Sequence, residues 1–332
     1  MKALVLNAAG VSPSMSVEDR QIPQWREGYS LVRMHAATVN PLSNWIRKGV
    51  LTEGISLPLV LSNDGSGVIE RSASFAEGTK VAIYGGGQLG MTEDGLQQQW
   101  ALVEDSRLVV VPEQVSLTAA AALPVNYVSA YQALHRVGQV QPGETVLISG
   151  ASGSIGHALI QLTRACGARP IGIVSDSDKG KKAFISGAES VVDTSRDQLV
   201  QFISTITEGK GADWAFDVVG GTRVGELLGA LKRRGSLVCI GFSGSTSGNF
   251  DLADLVIYEK RVLGYDAHLE TDEEVKIILH TLMDMAARDV ISPRIDGCYA
   301  LESFHRAYLR LDSRQSSGTL LLTLHGDVED SQ

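Results

Sequence analysis

Between residues 145 and 156 the chain reads TVLISGASGSIG. A short apolar strand pattern runs straight into glycines at 150, 153 and 156, and Ile155, Leu159, Leu162 and Cys166 then recur at helical spacing. A tight strand-to-helix turn leaves the first helical N–H groups without intrahelical acceptors and places the positive end of the helix dipole behind them. Such a turn is an anion site. Gly150 and Gly153 let the backbone bend sharply and approach a diphosphate, while Gly156 lets the helix press against its strand. Ala151, Ser152, Ser154 and Ile155 complete the lip. The turn reads Ala-x-Gly-x-x-Gly rather than the strict Gly-x-Gly-x-x-Gly, and glycines also gather in ordinary βα turns.

The next chemistry-bearing stretch, RPIGIVSDSDKGKK at 169–182, decides which dinucleotide such a turn would favour. An NAD-specific pocket ends its second strand in an acid that accepts from the ribose hydroxyls, and that charge repels a 2′-phosphate. With Val174 at the acid's position, Ser175 and Lys179 are placed to take the phosphate, which favours NADPH. A one-residue shift of register would bring the Asp176 carboxylate into the pocket and reverse the preference. The same residues also suit a plain solvated helix start, with Asp near the positive dipole end. Further on, GFSGS at 241–245 and YDAH at 265–268 follow strand patterns, where open α/β sheets collect their ligands. Gly241 and Phe242 are expected to flank a nicotinamide, and His268 reads as a surface residue more readily than as a proton relay.

These residues need a scaffold. With 332 residues, 44% of them hydrophobic and 20% charged, the chain is long enough for two soluble globular domains. The formal net charge of −9 argues against a surface built for nucleic-acid phosphates or anionic lipid. The N-terminal apolar run is too short for a secretory leader and no stretch approaches a membrane span, so a cytoplasmic protein is expected. Cys166, Cys239 and Cys298 are scattered without CxxC spacing and are expected to be core residues rather than disulfide or zinc partners.

From about residue 145, strand and helix patterns alternate: TVLIS, RPIGIV, SVVD, WAFDVV and SLVCIGF are separated by helical stretches near 157–166, 179–187, 197–208 and 223–234. That alternation predicts an α/β doubly wound parallel sheet. Residues 1 to about 115 instead hold short β-rich runs broken by Gly, Pro and Ser, and predict a β-rich unit. A helix interrupted at Pro124 links the two. Helices over about 272–288 and 301–311 and a last strand, GTLLLTL, are expected to return to the first unit, and the acidic tail HGDVEDSQ is expected to be mobile.

Six ordered motifs carry a resemblance that spans nearly the whole chain: AATVNPLSNWIRKG at 36–49, LPLVLSNDGSGVI at 57–69, AAALPVNYVSAYQAL at 120–134, QPGETVLISGASGSIG at 141–156, FDVVGG at 216–221 and SRQSSGTLLL at 313–322. Together they resemble the zinc-free quinone oxidoreductase and enoyl reductase branch of the medium-chain dehydrogenase/reductases. The resemblance implies a GroES-like catalytic domain over 1–121 and 266–332, and a Rossmann dinucleotide-binding domain over 122–265. It implies NADPH as coenzyme, a small-molecule substrate and a homodimer paired through the edge strands of the nucleotide sheets.

The zinc ligands of metal-dependent relatives match Asn40, Asn63 and Val125 here, none of which replaces a thiolate or imidazole. Without that Lewis acid, reduction of a quinone or an activated C=C bond becomes the natural chemistry. By resemblance, Asn40 lies near the nicotinamide ribose and substrate, with Asn126 and Ser129 on the opposing wall. Asn40 before Pro41 also suits a turn residue. Trp45 stands where relatives carry a Tyr and enoyl-thioester reductases a phenolic donor, so the enoyl-thioester alternative is weakened. Trp45 fits core filler as well as a stacking wall for a flat substrate. Val219 joins the coenzyme residues by resemblance, and Lys179 and Arg314 match family contacts to the 2′-phosphate, whereas the family's Tyr at the third strand end is Thr194. A non-catalytic NADPH-binding protein remains the alternative of a different class.

Overall fold

In the computed structural model, which describes residues 1–325, the chain opens with β1 (Lys2–Ala8) and β2 (Ser14–Asp19), then the long β3 (Tyr29–Val39). Helix α1 (Pro41–Arg47) follows, then β4 (Leu59–Val60), β5 (Asp64–Arg71), β6 (Lys80–Tyr84), β7 (Trp100–Glu104) and β8 (Leu108–Val110). β3 is buried almost without alternation because β5, β7 and, as described below, the last strand all pair with it. Leu4, Leu6, Met34, Ile69, Ile83 and Leu96 fill the core beside it. Each such fully buried side chain contributes about 1.5–3 kcal/mol relative to an exposed one. The expected break at Pro124 separates α2 (Leu117–Ala122) from α3 (Pro124–Gln132), since Pro supplies no N–H to a continuous helix.

The chain divides into two units, Met1–Val128 joined by the chain from Ala267 onward, and Ser129–Asp266. The second is a parallel sheet with helical crossovers: β9 (Thr145–Ser149), α4 (Ser154–Ala165), β10 (Arg169–Val174), α5 (Ser177–Ser186), β11 (Ser190–Asp193), α6 (Leu199–Ile206), β12 (Ala212–Asp217), α7 (Arg223–Gly229), β13 (Leu231–Cys239), α8 (Leu252–Ile257) and β14 (Arg261–Gly264). Strand order is β11-β10-β9-β12-β13-β14. The order reverses at β9 and β12, and it is beside such a switch point that doubly wound sheets open a crevice.

After the second unit, α9 (Asp272–Ala287), β15 (Ile295–Ala300), α10 (Phe304–Asp312) and β16 (Thr319–Thr323) rejoin the first unit. β16 pairs antiparallel with β3, as expected for GTLLLTL, and completes a sheet ordered β15-β16-β3-β5-β6-β8. The helix expected over 223–234 stops at Gly229. Leu231 already pairs with Ala212, and the register then jumps to Ser236 opposite Trp214, leaving residues 232–235 as a bulge. The three cysteines are partly exposed rather than fully in the core; Cys239 and Cys298 lie at the margins of hydrophobic clusters. Among the described residues no helix is long and apolar enough to cross a membrane. The acidic tail, from residue 326 on, lies outside the described residues.

Candidate functional site

The glycine turn forms at the end of β9, the strand flanked by β10 and β12. Gly150 takes φ +60°, a left-handed conformation that an L side chain rarely adopts, and a Cβ there would lie 2.7 Å from Val218 Cγ2. Gly153 is the N-cap of α4 and has no side chain to cap it; its own N–H donates to Gly150 O at 2.9 Å. A Cβ on Gly156 would come within 2.2 Å of Gly150 O. The three glycines therefore have different reasons: a turn, a bare helix end and a close approach. Ala151 and Ser152 are buried beneath the turn, whereas Gly153, Ser154 and Ile155 are half-exposed along its lip.

The neighbouring strand ends carry the other expected coenzyme residues of this unit. β10 ends at Val174, which is buried, and Ser175 follows it exposed. Asp176 is two positions past the strand and serves as the N-cap of α5, its Oδ1 accepting Lys179 N–H at 2.9 Å. Its Oδ2 lies 3.2 Å from Lys179 Nζ, which also donates to Ser175 Oγ at 2.9 Å. The bond from the Lys179 backbone N–H first, and then its ammonium, holds the Asp176 carboxyl below its usual range. No carboxylate stands at the last position of β10.

At the ends of β12 and β13 a residue that the motif reading passed over does the organising. Asp217 is fully buried, bonds the Ser149 hydroxyl and accepts the N–H groups of Val219 at 2.9 Å and Gly220 at 3.0 Å. Its carbonyl accepts from Ile240 at 2.8 Å and Gly241 at 3.2 Å, and Gly244 N–H donates to Val219 O at 2.7 Å. One carboxyl and one carbonyl thus fix Val219 and Gly241 side by side, with Phe242 exposed next to them. Ser129, on α3, is buried.

In the first unit, Asn40 is the N-cap of α1: Oδ1 accepts Ser43 N–H at 2.9 Å. Its Nδ2 faces Asn63 Oδ1 at 3.1 Å, and Thr38 Oγ1 and Asp64 Oδ1 at 3.2 Å each. An amide has two N–H donors. Both are committed within the protein. The centre of this cluster is Asp64, which is buried and accepts from the Thr38 hydroxyl, from Asn40 and, at 3.3 Å, from Val125 N–H. Burial pushes its carboxyl up to about 7 against those donors. Asn126 is likewise tied, through Ala122 O at 3.1 Å and Thr319 Oγ1 at 3.2 Å. Ile46 and Leu42 are the core contacts of α1, while Trp45 is half-buried. Asn44 and Arg47 (2.9 and 2.6 Å) and Lys48 all bond Asp312 at the end of α10. Arg314 follows two residues on, exposed, with φ +55°. His268 is also exposed.

The family described as zinc-binding dehydrogenase matches residues 154–281. The quinone oxidoreductase of Pongo abelii is 26% identical over 311 residues, which is 92% of each chain. The quinone oxidoreductase-like protein 2 of Bos taurus is 29% identical over 301 residues, 88% of this chain and 84% of its own. A solved quinone oxidoreductase of Pseudomonas syringae pv. Tomato DC3000 superposes with a TM-score of 0.85 at 25% identity, covering 97% of this chain and 99% of its own. Together these likenesses support a medium-chain dehydrogenase/reductase of the quinone oxidoreductase branch.

A medium-chain dehydrogenase/reductase is an oxidoreductase that uses a nicotinamide coenzyme, and the second unit suits one: the turn has no room for a Cβ at Gly150 or Gly156, and the bare helix end at Gly153 offers donors to a diphosphate. The positions matched by resemblance to the zinc ligands hold two amides and an aliphatic side chain. Asn40 and Asn63 bond one another, and Val125 contributes only a backbone N–H to Asp64. Among the described residues no three His, Cys, Asp or Glu side chains come together as a metal site.

Proposed function

We propose that this medium-chain dehydrogenase/reductase is an NADPH-dependent reductase that passes hydride to a quinone or an α,β-unsaturated carbonyl without zinc. The observation that carries the coenzyme choice is the end of β10: a buried Val174 where an acid would accept ribose hydroxyls, followed by Ser175 and Lys179. The substrate class is supported by the name of the relatives, quinone oxidoreductase, and by a donor set around Asn40 that offers no metal ligand.

When bound, the nicotinamide supplies the hydride; the chain's own residues supply position. The glycine turn receives the diphosphate, while Asp217 fixes the backbone at Val219 and Gly241 that is to meet the nicotinamide. Asn40 acts by capping α1, and so by aiming Trp45, rather than by donating to substrate, because its N–H groups are spent. The proton that completes the reduction comes from water. The proposed assembly is a homodimer through the open edge of β14, with Arg314 assigned by resemblance to the 2′-phosphate.

Steady-state loss of NADPH absorbance with a panel of quinones and enones tests this reading. Turnover is expected, with a lower kcat/KM for NADH and no loss after exhaustive chelation. Activity that disappears on chelation and returns with zinc would overturn the metal-free part; NADH preferred over NADPH would overturn the coenzyme part.

A further inference from the structure

Arg223 opens α7, and no motif of the family gives it a role. Its Nη2 donates to Thr194 Oγ1 at 3.1 Å and its Nη1 to Glu226 Oε2 at 2.6 Å. Thr194 is pinned in turn to the end of β10, because its N–H and its hydroxyl both donate to Val174 O at 3.0 Å. That fixes the hydroxyl's polarity, so its lone pairs face the guanidinium. One residue past Val174 is Ser175, which holds Lys179 Nζ. An unbroken chain of contacts thus hangs two cations, Lys179 and Arg223, on the ends of the adjacent strands β10 and β11, all within the second unit.

The charges around them are unequal. Lys179 shares its ammonium with Asp176, a carboxylate already used as a helix cap. Arg223 is paired with Glu226, whose side chain is 48% exposed, and the Arg223 side chain itself is 31% exposed, open enough to meet a ligand. At the end of β11 the buried Asp193 is paired with Arg196 at 3.1 Å, and the Asp197 carboxylate accepts the Asp193 N–H at 3.0 Å. The two bonds of Arg223 use two of its five N–H donors, and a planar fork suits a phosphate better than an ammonium does.

We propose that Arg223 is a specificity-determining residue that grips the ribose 2′-phosphate of the coenzyme, and that Glu226 competes with the phosphate for its guanidinium. The inference rests on the NADPH reading above. Thr194 stands at the place of the family's lost Tyr contact and acts here as the tether that brings Arg223 in as its replacement.

Calorimetric Kd values for NADPH and NADH with the wild type, Arg223→Ala, Arg223→Lys and Glu226→Gln decide the matter. Losing one charge-assisted contact in Arg223→Ala should raise the NADPH Kd about tenfold and leave that for NADH within about twofold. Arg223→Lys should fall between, and Glu226→Gln should tighten NADPH. A merely structural ion pair predicts something else: Arg223→Ala and Glu226→Gln shift both coenzymes alike, and that result overturns the proposal. If the wild type discriminates between coenzymes and Arg223→Ala discriminates to the same extent, the Arg223 assignment alone falls. If the wild type does not discriminate, the NADPH reading falls and takes this inference with it.

Discussion

Asp64 shows how one buried group can govern a site. Its carboxyl meets neutral donors, the Thr38 hydroxyl, the Asn40 amide and the Val125 N–H, and no cation among its hydrogen-bond partners, so burial outweighs them and raises it from 3.8 to about 7. The fold therefore holds a proton that the unfolded chain releases, and stability falls as pH rises through that interval and levels off above it. The raised carboxyl corresponds to about 4 kcal/mol. Urea unfolding of the wild type should accordingly give lower stability at pH 8 than at pH 5 by a margin that shrinks in Asp64→Asn; parallel pH profiles for the two proteins would refute the assignment. At this scale the sequence was readable where chemistry needs a residue type, as at Gly150, Gly153 and Gly156. It was not readable where burial makes the chemistry. In SNDGSG, Asp64 looks like a turn residue, and nothing local shows that Arg223 reaches a threonine 29 positions away.

Elements were legible by period and punctuation, and misread where pairing overrides both. Pro124 split its helix as expected, whereas the basic run after Gly229 continued a helical pattern that pairing of Leu231 with Ala212 cuts short. Two predictions belong here. In Gly156→Ala the new Cβ meets a backbone oxygen, Gly150 O, not the yielding end of a side chain, so α4 must lift off the turn. Overpacking of this kind costs about 1–3 kcal/mol, and the displaced helix end should weaken coenzyme binding as well. Differential scanning calorimetry and NADPH titration should both register the change; an unchanged Kd would separate the turn from the coenzyme. The second concerns α1, which is moored to α10 through Asp312. Although burial opposes it, the bonds from Lys48 and Asn44 and the charges of Arg47 and Lys48 hold that carboxyl below its usual range. Because the group is partly exposed, Asp312→Asn should cost only about 1 kcal/mol in stability. Its larger effect should fall on kcat, through loosened placement of Trp45, with NADPH affinity retained.

For the molecule as a whole, the open question is what covers the edge of the second unit. Among the described residues, β14 is the last strand of a six-stranded parallel sheet and pairs on one side, with β13. A free strand edge invites pairing with another chain. Just before it, α8 exposes Leu252, Val256 and Ile257 at 66, 70 and 64%, and Val262 on β14 itself is 40% exposed. In the homodimer proposed above, a second copy of the same unit, brought up by a two-fold axis, would pair edge with edge and bury the two apolar helices in a self-complementary, closed contact. Light scattering after size exclusion should therefore give twice the chain mass of 35.4 kDa. The double substitution Val256→Asp with Ile257→Asp places carboxylates in the contact without touching the sheet, and should return the protein to the mass of one chain. The glycine turn sits at β9, three strands from β14, so NADPH should still bind the monomeric variant with an affinity close to that of the wild type. A wild type that runs as a single chain, or a variant that stays paired, removes the edge of β14 as the contact; a monomeric variant that has also lost NADPH would show instead that pairing shapes the coenzyme turn.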